Sequence, residues 1–219
     1  MSFSSSPVDA TGYSGPCDNG TTRNYSDYAA RGAGLGGSGT DYVGVYSEAW
    51  VRNLSPCTGT NLAQLTSVLP ANLQWSGCSV CIVQIGYGVC TAPSGPSCNG
   101  IPNDGRPHFI WTCWDNDPTG CLADGWFGSA PVVGHRYAFQ IVYQPYNWHF
   151  LLRDITANGP TKEKLLTIVH WHLADGVWWG AENWDANATL GPAATGGSAY
   201  DMPLEYLRQS TPWTIAQLD

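Results

Sequence analysis

One glutamate near the end of the chain lies among large aromatic side chains. Glu182 stands in the run GVWWGAENW, with tryptophans on both sides. Burying a carboxylate in such surroundings is costly, and desolvation raises its pKa. A structural ion pair with Arg136 or Arg153 would be one reason to keep it. The aromatic context favours the other reason, which is membership of an acid–base site.

A glutamine in a buried strand is the second candidate. Gln84 lies in CSVCIVQIGYGV (78–89), a continuous β-branched run typical of a buried strand. A polar side chain there either satisfies its hydrogen bonds within the core or belongs to a site.

Other side-chain pairs carry weaker signals. Two imidazoles, His170 and His172, lie on one strand face, but no third ligand follows in phase, so a structural role is favoured and no metal is predicted. A zinc site at Cys78-Ser-Val-Cys81 lacks a second ligand pair. The carboxylate pairs Glu182/Asp185 and Asp115/Asp117 are similar to glycosidase pairs, but only the second has the alternate spacing of acids on one strand, and it lies in a turn sequence. We expect no cofactor.

The composition excludes some partners. The formal net charge is −8 and the nine Lys and Arg residues include only two lysines, so the chain offers no basic patch for nucleic acid or an anionic membrane. No apolar run is long enough for a transmembrane helix, and membrane insertion is not expected. The remaining partner classes are a polypeptide or a glycan.

Eight cysteines in an acidic, lysine-poor chain indicate disulfides and an oxidising compartment, so we expect a secreted protein. Cys113–Cys121 and Cys90–Cys98 are the pairs expected from local spacing. The N-terminus lacks a basic and apolar leader, so a signal would have been removed, or export would use another route.

The elements that must position these residues are strands. Residues 1–40 are rich in Gly and Ser and are interpreted as an N-terminal arm; residues 41–219 are interpreted as one β-sandwich domain. DYVGVYSEAWV (41–51) alternates as a half-buried strand does, and further strands are predicted at 108–115, 164–173 and 176–184. Residues 135–155 predict two strands joined near 144–147. NLAQLTSVL (61–69) predicts a short helix or a loop, and 204–209 a helical turn or a strand. The predicted fold is all-β, a concanavalin- or jelly-roll-like antiparallel double-sheet sandwich.

Five stretches, in order, resemble the glutamic peptidase superfamily, which includes the fungal eqolisins and the plant neprosins. They are VGVY (43–46), CIVQIGY (81–87), FIWTCWDND (109–117), residues 133–159 and VWWGAE (177–182). The resemblance covers residues 41–202. It departs from the eqolisin pattern at Tyr42 and Tyr46, where that family has Trp and Asp; Asp41 or Glu48 would be the acid that substitutes.

The resemblance implies a catalytic pair. Glu182 would be the general base that activates water, and the amide of Gln84 would donate to the oxyanion of the intermediate. Aromatic walls that bind substrate would come from four residues: Tyr46, Tyr87, Trp111 and Trp179. The implied activity is that of an acid-acting endopeptidase. The alternatives are a jelly-roll module that binds a glycan or a protein without turnover, or a structural subunit of an extracellular assembly.

Overall fold

The computed structural model describes residues 30–31, 42–51, 61–70, 82–90, 97–98, 101–114, 122–167, 174–183, 200–208 and 214–215. Every regular element in these ranges is a strand. In chain order they are β1 (Ala30–Arg31), β2 (Tyr42–Trp50), β3 (Asn61–Pro70), β4 (Ile82–Cys90), β5 (Ser97–Cys98), β6 (Ile101–Pro102), β7 (Pro107–Trp114), β8 (Leu122–Trp126), β9 (Arg136–Gln144), β10 (Asn147–Asp154), β11 (Lys162–Leu166), β12 (Ala174–Asn183), β13 (Tyr200–Arg208) and β14 (Thr214–Ile215).

Twelve of these strands form one antiparallel hydrogen-bonded sheet with a single weak joint. The joint is the pair Tyr42–Ala174, which alone connects β2 to β12. On one side of it lies the first half-sheet, in the order β14-β13-β2-β9-β10-β11. On the other side lies the second half-sheet, in the order β1-β12-β3-β4-β7-β8.

The core lies between the two half-sheets. Ring contacts cross from one to the other: Trp111 on β7 meets Phe150 on β10 at 5.8 Å between centroids, and Tyr87 on β4 meets Phe139 on β9 at 6.4 Å. The side chains of β4 and β7 that join this core are those at odd positions. Because successive strand residues point to opposite faces, even positions face away from the core. The predicted all-β double-sheet sandwich is therefore confirmed.

One sequence prediction is corrected by this fold. Residues 61–69 form neither a helix nor a loop but most of strand β3, which pairs with β4 and β12 over its whole length. The apolar and polar residues of NLAQLTSVL do not alternate regularly, so the sequence pattern alone did not indicate a strand.

The remaining strand predictions agree in type. Residues 135–155 form the hairpin of β9 and β10, with its turn between Gln144 and Asn147. Residues 200–208 form a strand rather than a helical turn. Of the predicted strand 164–173, the structure describes β11 up to Leu166, and the rest, with His170 and His172, lies outside the described residues.

The N-terminal arm, the turn at 116–118 and the pair Cys78/Cys81 fall largely or wholly outside the described ranges, but Ala30–Arg31 pairs with β12. Cys113 is buried and disulfide-bonded, and no described cysteine is free. Within these ranges no helix is long and apolar enough to cross a bilayer.

Candidate active site

Gln84 lies on the outer face of the second half-sheet. This surface, called the site face below, is formed by Gln84, Gly86 and Gly88 on β4 and by His108, Ile110 and Thr112 on β7. All six residues are buried although they point away from the core. Both faces of β4 and β7 are thus shielded from water, which strengthens electrostatic interactions on the site face.

A neighbouring hydroxyl fixes the orientation of the Gln84 amide. Thr112 on β7 pairs directly with Gln84, and its Oγ1 donates a hydrogen bond of 2.8 Å to Gln84 Oε1. Thr112 is 0% exposed and Gln84 is 4% exposed. The carbonyl end of the amide therefore accepts from a fixed donor, and Nε2 is the end of the side chain that carries the donor hydrogens.

Backbone register places Glu182 on the same face as Gln84 but in another row. Gln84 pairs with Ser67 on β3, and Ser67 pairs with Trp178 on β12. Glu182 lies four residues further along β12, level with Ala63 and Gly88. At usual strand rise and spacing, the two Cα atoms are about 17 Å apart.

A second carboxylic residue lies closer to Gln84 by the same measure. Asp124 on β8 pairs with Thr112, which pairs with Gln84, so these three positions form one row across β8, β7 and β4. Two strand spacings separate the Cα atoms of Asp124 and Gln84 by about 10 Å. Sequence reasoning missed both Thr112 and Asp124, because only the register of β4, β7 and β8 brings them beside Gln84.

The far end of the site face carries an imidazole held by a carboxylate. His108 Nε2 lies 3.0 and 3.1 Å from the two carboxylate oxygens of Asp104. Burial acts to raise the pKa of Asp104, but the hydrogen bonds from His108 and from the Arg106 amide lower it below its usual value. Asp104 therefore stays ionised further into the acid range than a free aspartate.

The aromatic residues expected around the site do not lie on the site face. Tyr87 and Trp111 occupy odd positions of β4 and β7 and lie in the core, at 0% and 8% exposure. Trp179 on β12 pairs with Thr66, which is level with Ile85, so its position belongs to the core-facing side too. The reason is the two-residue period within each strand: Tyr87 lies three residues from Gln84 on β4, and Trp111 lies one residue from Thr112 on β7, so neither position shares the face of Gln84 and Thr112.

Tyr46 lies on the other half-sheet. Its hydroxyl donates a 2.6 Å hydrogen bond to Glu48, whose other oxygen is 3.1 Å from Nε of Arg136. Burial raises the pKa of Tyr46 most, and the hydrogen bond to Glu48 and the charge of Glu48 raise it further.

Two arginines were considered as partners of Glu182. Arg136 binds Glu48, and Arg153 binds the loop at Asn158. Glu48 is the acid held beside Tyr46.

Metal binding has no support in the described part of the chain. No three His, Cys, Asp or Glu residues there are grouped closely enough to hold a metal ion.

Comparison by sequence finds no match: neither a protein-family model nor a curated protein matches the chain. Comparison by structure finds similar proteins. Scytalido-glutamic peptidase, solved with a peptide-based transition-state analogue, superposes with a TM-score of 0.51 at 11% identity over 90% of this chain and 89% of that one.

A second structure, SCP-B of the eqolisin family in complex with the tripeptide Ala-Ile-His, gives a TM-score of 0.43 at 11% identity over 91% of this chain and 87% of its own. At such identities the likeness concerns the fold. The chain has a distant glutamic-peptidase-like fold.

Proposed function

We propose that this chain is a secreted, acid-acting endopeptidase of the glutamic type. The observation that carries the proposal is the Gln84 amide, buried on one face of a glutamic-peptidase-like sheet with its carbonyl end bonded to Thr112. An amide held in this way is a preorganised hydrogen-bond donor. Such donors stabilise the oxyanion of a tetrahedral intermediate because they need no reorganisation during the reaction.

The site face suits an extended polypeptide. Gly86 and Gly88 alternate on β4, and Ala63 is level with Gly88 on the neighbouring strand. Glycine within a strand allows another backbone to approach closely. Because Gln84 is 4% exposed, a substrate reaches the amide only by displacing the groups that cover this face.

A carboxylate on the same face acts as the general base in this proposal. It removes a proton from water as the water attacks the scissile carbonyl, then returns a proton to the leaving amine. The resemblance assigns this role to Glu182. The separation of about 17 Å between the Cα atoms of Gln84 and Glu182 exceeds the reach of one shared water, whereas the Cα atoms of Gln84 and Asp124 are about 10 Å apart. Asp124 is therefore the second candidate for the base.

Secretion rests on the eight cysteines and on the disulfide at Cys113. The acid range follows from the base, because a carboxylate changes its protonation near pH 4.

The test is cleavage of casein by the purified protein between about pH 3 and pH 5. We expect cleavage by the wild type and its loss in either Glu182→Gln or Asp124→Asn, which identifies the base. Glu163→Gln is the matched control, since Glu163 is an exposed carboxylate on β11 of the other half-sheet. A wild-type protein that cleaves nothing in this range would contradict the proposal and favour a binding module or a structural subunit.

A further inference from the structure

An exposed tyrosine occupies a backbone conformation that suits it poorly. Tyr146 is the second of two turn residues between β9 and β10, after Pro145, and its φ is 75°. Proline fits the first central position of a type II turn, and the second needs a positive φ and is usually Gly or Asn. A bulky side chain there is a true outlier.

The Tyr146 side chain does not compensate for this strain from within the described structure. The residue is 74% exposed. Its backbone N–H donates to the Tyr143 hydroxyl at 3.3 Å, but its own ring and hydroxyl make no hydrogen bond or ring contact with a described residue. A strained backbone at an exposed position, with no stabilising side-chain interaction among the described residues, points to a contact with a molecule outside the fold.

Two neutral amide side chains belong to residues close to Tyr146 in the chain. Gln144 is exposed next to the turn, and Asn147 accepts a 2.7 Å hydrogen bond from the Thr167 hydroxyl. The next row inward holds the half-exposed Leu165 and His149, whose Nδ1 lies 2.5 Å from a carboxylate oxygen of Glu163. Amide and hydroxyl groups supply both donors and acceptors to a neutral polar ligand.

We propose that Tyr146 is the platform of a carbohydrate-binding site for a neutral oligosaccharide. The apolar C–H face of a sugar ring packs on an exposed aromatic ring, while its hydroxyl groups bond to the flanking amides of Gln144 and Asn147. Tyrosine is suited to such a contact because it combines an apolar body with a polar tip. The site lies on the first half-sheet and does not depend on the proposed peptidase activity.

Two other partners fit these observations less well. A membrane surface would be met by a wide apolar face with basic residues beside it, and the turn offers one aromatic ring among neutral amides. A protein interface would need a ring of close contacts around the anchor, over hundreds of Å². Gln144 and Asn147 beside Tyr146 are polar and at least partly exposed, as at a small-ligand site with few contacts.

The experiment uses the full chain and titration calorimetry with hexasaccharides of β-1,4-linked glucose, β-1,4-linked N-acetylglucosamine, β-1,4-linked mannose and α-1,4-linked glucose. We expect the wild type to bind at least one of them. Tyr146→Ala and Tyr146→Asn should each weaken that binding by at least about fivefold, the usual loss at an anchor residue, while Tyr146→Phe retains most of it. Asparagine tolerates a positive φ, so its loss of binding is not a backbone effect.

Val133→Ala is the matched control. Val133 is 50% exposed and lies before β9, at the opposite end of that strand from the turn, so its removal should leave saccharide binding unchanged. The inference is overturned if the wild type binds none of the four saccharides, or if Tyr146→Ala binds as tightly as the wild type. Binding of a polypeptide through Tyr146 in place of any saccharide would also overturn it.

Discussion

The hydrogen bond between Thr112 and Gln84 allows a sharp test, because valine has nearly the shape of threonine but no hydroxyl. Thr112→Val removes the 2.8 Å bond to Gln84 Oε1 at a site where both side chains are buried. Loss of a partner from a buried polar group costs about 1–3 kcal/mol. At about 2–4 °C per kcal/mol for a domain of this size, Tm should fall by about 2–12 °C.

The same substitution should affect catalysis if the amide works as proposed. Without the hydroxyl, the amide can rotate and present its oxygen where Nε2 is needed, so kcat should fall by about tenfold or more, toward the roughly 10²–10³-fold cost of a lost oxyanion donor. KM should change little, because the interaction forms in the transition state.

Thermal denaturation and casein cleavage at acid pH provide both readouts. Thr112→Ser keeps the hydroxyl and serves as the control. A Thr112→Val protein that loses stability but cleaves at the wild-type rate would refute the positioning role.

Three further perturbations test other parts of the structure. Gly125→Ala would place a Cβ 2.9 Å from the Trp111 ring, so the free energy of unfolding in urea should fall by about 1–3 kcal/mol. Tyr146→Gly should raise it by about 1 kcal/mol by relieving the positive φ, and an unchanged value would argue against strain. Burial acts to raise the pKa of Asp154, but bonds from the Ala157 amide and from two side chains lower it. The unfolded chain therefore binds more protons, and stability is lost as pH falls below about 4; Asp154→Asn should flatten that loss in urea unfolding at pH 3–6.

Residue patterns sufficed for most of the longer strands. Continuous β-branched or alternating runs gave β2, β4, β7 and the β9–β10 hairpin, because their burial on one or both faces leaves a direct trace in the sequence. Strand β3 left no such trace. Its polar residues lie between β4 and β12, and that placement depends on pairing with strands distant in sequence.

The surroundings of the site were harder to predict than its glutamine. Gln84 could be identified from its strand, but the face that each neighbour shares with it depends on register. A shift of one residue moves a side chain to the opposite face, and the resemblance alone suggested Tyr87 and Trp111, which lie in the core. Thr112 became visible only when β4 and β7 were aligned.

Steady-state cleavage of casein at about pH 4 by the wild type and Gln84→Met tests the role of the amide most directly. Methionine keeps the length of the side chain and removes the amide donor. The account predicts that kcat falls by about 10²–10³-fold in a variant that remains folded. Equal rates for the two proteins would contradict it.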